Sequence, residues 1–441
     1  MNCKRYILCV LALLLCCQAS RSENAAERTL RDFRRMGVPV YEADEVKLLP
    51  TATEKFHDLF QTIDQAEHYI LLDYFKFQED SICSELVKRL AAKVRQGVEV
   101  RILFDSFGNK NSDQPLSRAR LDSIRGAGIG IEGFDPVRFP WVNHLLHRNH
   151  HKIAVIDGQL VYTGGMNVAD YYLHGKPSVG RWRDMHIRMN GSIVQAYEEL
   201  FWKMWGKEQG ARSKEQGAKG KEQGARGKEQ GAREYQHPKQ SSCPLPLAPC
   251  PQNPVPCPSV SVAFASRWPR QTPHIMRQTY CTAIDNADQL IQIVNPYAML
   301  FGQVRAALRR ALQRGVRVQF MVSTKSDGKV NDDVTGLEMH KLMKHGAEVY
   351  YYDDGFHHSK VMMIDSLFCT VGTTNLDARS LCFDYEVNAF IFSRTTTEEL
   401  MRIFSDDVRH STLLTPEVWQ QRFPPRRRLR GRFFTIAKRL M

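Results

Sequence analysis

Between Val46 and Trp205 the spacing of apolar residues keeps changing period. "HYILLDYFKF" is an apolar run with the length and aromatic content of a strand. "ICSELVKRLAAKVRQG" repeats its apolar positions every three to four residues and stops at a glycine, as an amphipathic helix does. "VEVRILFD" reads as a strand again, and "SIVQAYEELFWKMW" closes the segment as a helix. Strand, helix, strand in this order predicts an α/β sheet with helices on its faces. After about Ser259 the pattern restarts, with "LIQIVNPYAML" as strand, "VRAALRRALQRG" as helix and "VRVQFMVST" as strand. "RQGVEVRILF" matches "QRGVRVQFMV" in residue type, and "RGAGIGIEGF" matches "KHGAEVYYYDD". The expected architecture is two similar α/β halves, 46–205 and 259–419, each a mixed sheet flanked by helices, packed about a pseudo-twofold axis.

The segment between the halves, 206–258, has a different character. "KEQGARSKEQGAKGKEQGARGKEQGAR" repeats a seven-residue unit without one large apolar residue, so no coiled-coil seam can form. Each glycine costs a helix about 1 kcal/mol, and the reading is a solvated, disordered insertion. "CPLPLAPCPQNPVPCP" follows, too rich in proline for helix or sheet interior. Cys243, Cys250 and Cys257 recur there at a spacing that fits no common zinc site.

Both ends carry signals of their own. "MNCKRYILCVLALLLCCQAS" has a basic start and an apolar core of secretory length, so residues 1–19 read as a signal peptide or short membrane anchor. From Arg422 to Met441 the chain has eight basic residues and no acidic one, interleaved with Phe433, Phe434, Ile436 and Leu440. This tail, 420–441, reads either as a strip that lies on an anionic membrane surface or as a frayed terminus made soluble by arginine. A net charge of +13 over 441 residues favours anionic partners, and 43% hydrophobic residues provide ample core.

The chemistry sits in a string that occurs twice. "HHKIAVIDGQLVYTGGMN" and "HHSKVMMIDSLFCTVGTTN" hold equivalent places in the two halves. Side chains two apart on a strand point the same way, so His150 shares a face with Lys152, and His358 with Lys360. The apolar residues after each lysine read as a strand buried on both faces, and Asp157-Gly158 as the tip of a hairpin. Asp365-Ser366 occupies the same place with a weaker turn signal. A twofold arrangement brings two imidazoles and two ammonium groups to one cleft. That set suits a phosphodiester: one imidazole attacks phosphorus, the other protonates the leaving oxygen, and the lysines offset the charge. His144, His147, His151 and His357 lie nearby, but no cysteine or acid completes a zinc site. His151 is expected to point away from His150.

HxKx4D followed by GGxN, and HxKx4D followed by GTxN, resemble the paired signature of the phospholipase D superfamily. "RNHHKIAVIDGQLVYTGGMNVADYY", "WRDMHIRMNGSIV" and "GTTNLDARSLCFDYEVNAFIF" are most similar to bacterial cardiolipin synthases and their relatives. The resemblance implies His150, Lys152, Asp157, His358, Lys360 and Asp365 as the catalytic set, although the two aspartates fit a purely turn-holding role equally well. It implies Asn167 and Asn375 as donors to the phosphate, and Asp184 and Glu386 as acids that orient the histidines. It implies no metal and no organic cofactor, phosphatidylglycerol as an anionic lipid partner, a membrane surface, and a place in the bacterial cell envelope. The activity implied is phosphatidyl transfer between two phosphatidylglycerol molecules. Hydrolysis by water at the same site is the alternative, and a nuclease, with nucleic acid as partner, the less favoured one. The heptad repeat, the proline–cysteine stretch and the single leader depart from the family pattern.

Overall fold

The structure is a computed structural model and describes residues 23–136, 146–222 and 259–437. The leader, the linker cysteines Cys243, Cys250 and Cys257, and His144 lie outside the described residues.

Seven strands form the sheet of the first half, in the order Val46–Leu49, His186–Met189, Leu160–Gly164, Lys152–Ile156, Tyr69–Tyr74, Glu99–Asp105 and Gly130–Phe134. The second half repeats the order with Val260–Arg267, Glu386–Phe392, Phe368–Gly372, Val361–Ile364, Leu290–Val294, Arg317–Ser323 and Glu348–Tyr352. Val40–Ala43 and Ser411–Leu413 extend this second sheet at its two edges. In both sheets the last three strands of the series run parallel and the others antiparallel. The expected mixed sheets are present, and the duplication extends to strand order.

The two sheets pack against each other through one face and against helices through the other. Ile153 and Val155 share a buried cluster with Val361 and Met363 of the other half, while Ala154 and Ile156 face the helices of their own half. Met362 and Ile364 do the same on the second side. Both motif strands are therefore buried on two faces, which is why they read as unbroken apolar runs. A one-residue slip would turn these faces over, so the register that sets His150 and Lys152 is tightly specified.

The hairpin tips explain the motif aspartates. Asp157 and Gly158 have φ of 52° and 64°, and Asp365 and Ser366 have φ of 51° and 56°, so both turns take positive φ at both central positions. Asp157 accepts the backbone N–H groups of Glu67, His68 and Tyr69, each at 2.8 Å. Asp365 accepts those of Asp288, Gln289 and Leu290 at 2.7–2.8 Å. Each carboxylate thus ties its hairpin to the start of the neighbouring strand, at the opposite end of the motif strand from the lysine. Asp157→Ala is expected to lower stability by about 2–4 kcal/mol, because three donors lose a charged acceptor. Turnover per folded molecule should be unchanged, as denaturant melts paired with activity titration will measure.

Two segments differ from expectation. The closing helix of the first half does not stop at Trp205; it runs Ile193–Glu222, into the KEQGA units. Lys, Glu, Gln, Ala and Arg are strong helix formers, and lengthening a helix already packed at its start needs no new nucleus. The basic tail is not frayed where described: Pro416–Arg422 and Pro425–Ala437 are helical. Trp419 stacks on His340 with centroids 4.1 Å apart, which seats the first of them on the helix Lys329–Lys344.

Candidate active site

The segment that carries His150 is clamped before the strand begins. Arg148 and Asp105 form a fully buried ion pair, with Nε 3.0 Å from Oδ2. Arg148 also donates to the carbonyls of Phe134 at 3.0 Å and Asp135 at 2.8 Å. Asp105 Oδ2 accepts the N–H of Asn149 at 2.9 Å. Asp73 takes the Asn149 amide at 2.6 Å and lies 3.2 Å from His151 Nδ1, which holds the second imidazole apart from the first. The sequence reading did not single out Asp73, Asp105 or Arg148. The available signal was a carboxylate closing each of two apolar strands, "ILLDY" and "RILFD".

Each motif imidazole is then fixed by the opposite half. His150 Nδ1 lies 2.9 Å from Glu386 Oε1, and its backbone N–H donates to the Tyr385 carbonyl at 3.0 Å. His358 Nδ1 lies 2.6 Å from Asp184 Oδ2, and its N–H donates to the Arg183 carbonyl at 2.6 Å. The acid downstream of each motif therefore serves the histidine of the other motif. Strand Gly355–His357 pairs in parallel with Arg181–Arg183, a second bridge between the halves. With Nδ1 directed at a carboxylate, Nε2 keeps the lone pair for chemistry.

The lysines lie beside the imidazoles in unlike ways. Lys152 Nζ donates to the His150 carbonyl at 2.6 Å. Lys360 Nζ also donates to its motif histidine's carbonyl, but stands 2.9 and 3.0 Å from the two ring nitrogens of His358. Among the described residues, Nε2 of His150 has no such neighbour. His150 leans edge-on against Phe75, and His358 lies tilted against Trp182 and Phe356.

Burial dominates the electrostatics. It holds both imidazoles well below their ordinary range, with Lys152 and Lys360 adding to the effect on each. It presses Lys152 down to about 7 and Lys360 to about 8. The same burial pushes Asp184 up to about 6 and Glu386 to about 7. His358 is depressed in part by Lys152 and His150, so the charges of the two halves act on one another. A phosphate placed here supplies the anion that the lysines need to stay protonated.

These shifts set a pH dependence for the free enzyme. Below about 6–7 Glu386 and Asp184 take up protons and the imidazoles lose their anionic partners. Above about 7–8 the lysines shed the charge that attracts a phosphodiester. kcat/KM for a soluble substrate is expected to peak near neutrality and fall on both sides, with apparent values that belong to the coupled cluster. A flat profile between about pH 5 and 9 would contradict this reading.

The remaining expected residues divide. Asn375 is buried, and its side-chain oxygen has no partner among the described residues. Asn167 is engaged within its own half, with Oδ1 accepting from Lys76 N–H at 3.1 Å and Nδ2 donating to Tyr172 at 3.0 Å. Asp157 and Asp365, expected in the catalytic set, are not brought to the site at all; they sit at the far hairpins. His147 bonds the Phe383 carbonyl at 2.8 Å, and His357 bonds Asp407 at 3.0 Å, so each has a partner of its own.

Two α/β halves, each supplying a histidine and a lysine to a shared buried site, define a duplicated phospholipase D-type protein. The family model described as "Cardiolipin synthase, PLD-like domain" matches residues 59–205 and 280–408, and the chain belongs to that family. A cardiolipin synthase of Geobacillus kaustophilus is 31% identical over 385 residues, which is 87% of this chain and 70% of that protein. A probable cardiolipin synthase of Bacillus subtilis is 31% identical over 84% of this chain and 67% of its own length. The crystal structure of phosphatidylserine synthase from Haemophilus influenzae superposes with a TM-score of 0.66 at 14% identity, covering 95% of this chain and 100% of that one. This last likeness establishes the fold.

Proposed function

We propose that the protein is a phosphatidyltransferase that joins two phosphatidylglycerol molecules into cardiolipin through a phosphatidyl-histidine intermediate. The observation that carries the chemistry is the pair of crosswise dyads, His150–Glu386 and His358–Asp184, with a lysine beside each histidine. The named relatives support the choice of lipid.

His150 is the nucleophile in this reading, since its Nε2 is free of the neighbouring ammonium that crowds His358. Nε2 of His150 attacks phosphorus, the bond from phosphorus to the glycerol headgroup oxygen breaks, and His358 gives that oxygen its proton. The phosphodiester anion offsets the burial and the lysine charges that otherwise keep the His358 ring neutral, so that the ring carries this proton when substrate is bound, and Lys152 and Lys360 together stabilise the extra negative charge of the transition state. They supply charge that a metal brings to other phosphoryl-transfer sites. In the second half-reaction His358 takes the proton of an incoming lipid hydroxyl, that oxygen bonds to phosphorus, and the P–N bond breaks to restore His150. Asp157 and Asp365 act through the fold alone.

Purified protein incubated with headgroup-labelled phosphatidylglycerol in bilayers is expected to release glycerol and form cardiolipin in equal amounts. Phosphatidic acid as the main lipid product would make water the acceptor and the protein a hydrolase. Untouched lipid with nicked plasmid DNA would overturn the lipid reading altogether.

A further inference from the structure

The helix Pro425–Ala437 is held to the protein by arginines, and Leu429 and Phe433 are left outside. Arg427 Nε donates to Asp333 Oδ1 at 2.6 Å, and Arg430 Nε donates to the other oxygen of the same buried carboxylate. Gly431 sits so close to the helix below that an added Cβ would lie 2.8 Å from the Asp333 carbonyl oxygen and from a Leu337 methyl. The inner face is thereby occupied. At helical spacing the outer face carries Arg426, Leu429, Arg432 and Phe433. Leu429 is 70% exposed and Phe433 68%, against 42% for Leu146 and 45% for Leu413, the other large exposed apolar side chains among the described residues. Two adjacent exposed apolar groups ringed by arginine are not the surface of a helix that faces only water.

The helix also starts in a telling place. Arg422, just before it, donates to Thr324 Oγ1 at 2.7 Å and to Asp353 Oδ1 at 2.9 Å. Thr324 follows the end of strand Arg317–Ser323, whose Ser323 hydroxyl accepts the N–H of His357 at 2.6 Å, next to the catalytic His358. Asp327, in the loop between that strand and the helix below, acts electrostatically on both His358 and Lys360. Arg422 thus ties the start of the helix to the strand end that holds His357.

We propose that this face is a docking surface for an anionic phospholipid bilayer. Leu429 and Phe433 insert at the boundary between headgroups and acyl chains, and Arg426 and Arg432 meet the phosphates. From Arg422 onward the chain has eight basic residues and no acidic one, which matches such a surface and repels basic partners. The inference rests on the lipid reading of the active site and adds to it the means by which the cleft is held against its substrate source.

Full-length Phe433→Trp, read as the difference from the wild type with its six tryptophans, reports insertion. Its emission is expected to shift to the blue on vesicles containing phosphatidylglycerol and to be quenched by lipids brominated near the headgroup. No shift and no quenching would overturn the proposal, as would an equal response to purely zwitterionic vesicles. The double variant Leu429→Ser/Phe433→Ser, at solvent-exposed positions, is expected to turn over bilayer lipid roughly tenfold more slowly. Short-chain, water-soluble phosphatidylglycerol should be turned over at the wild-type rate. Unchanged bilayer turnover, or a lower mass than the wild type in sedimentation with vesicle binding intact, would assign the face to another role. Failure of the wild type on every lipid would defeat the proposed function while leaving the tryptophan test readable.

Discussion

The His150→Ala variant is expected to lose both turnover and covalent capture of substrate, even when the leaving group needs no protonation. A nucleophile that forms a bond to phosphorus has no substitute in the site: His358 Nε2 stands against the Lys360 ammonium, and His151 is tied to Asp73. His358→Ala should behave differently. It removes general-acid help worth typically 10²–10⁴-fold, and most of that loss should return with a phosphodiester whose leaving group is a nitrophenolate. The contrast between the two variants on one activated substrate separates nucleophile from acid. Rescue of both, or of neither, would break the assignment.

The crosswise acids give the second large effect. Glu386→Gln should mimic His150→Ala, and Asp184→Asn should mimic His358→Ala, although each acid lies downstream of the other motif. An amide in place of the carboxylate stabilises the wrong imidazole tautomer, a change worth on the order of 10³–10⁴-fold in a histidine–acid dyad. Asp184→Asn should therefore keep much of its activity on the nitrophenyl ester while Glu386→Gln does not. Were the acids to serve their own motifs, the pattern would be reversed.

This crossing marks the limit of what was legible in the sequence. Period-two and helical patterning is a local property, and it placed the strands around Tyr69–Tyr74 and Glu99–Asp105, the repeat of both halves, and the four histidine and lysine positions. Which acid meets which imidazole depends on how two sheets pack across a twofold axis, and no spacing along the chain encodes that. The motif aspartates were half readable: the Asp-Gly turn was evident, but the three backbone donors each carboxylate collects belong to a neighbouring strand start far away in sequence. Asp73 and Asp105 escaped notice because a single acid in an apolar run is ordinary until its buried partner is known. The glycines of the KEQGA units argue against a helix locally, but the packed helix that precedes them supplies the nucleus from which Ile193–Glu222 extends. The docked tail likewise depends on Asp333, a residue whose burial no local pattern announces.

The central claim is that a phosphoryl group is held covalently on one histidine of a cleft built by both halves. Rapid acid-free quenching of wild-type protein with phosphorus-labelled lipid, followed by peptide mapping, tests it most directly. Label on the peptide that carries His150, formed within the first turnover and discharged by added phosphatidylglycerol, is the expected result. Label on the His358 peptide would reverse the roles, and turnover with no histidine labelled at any time would contradict the account.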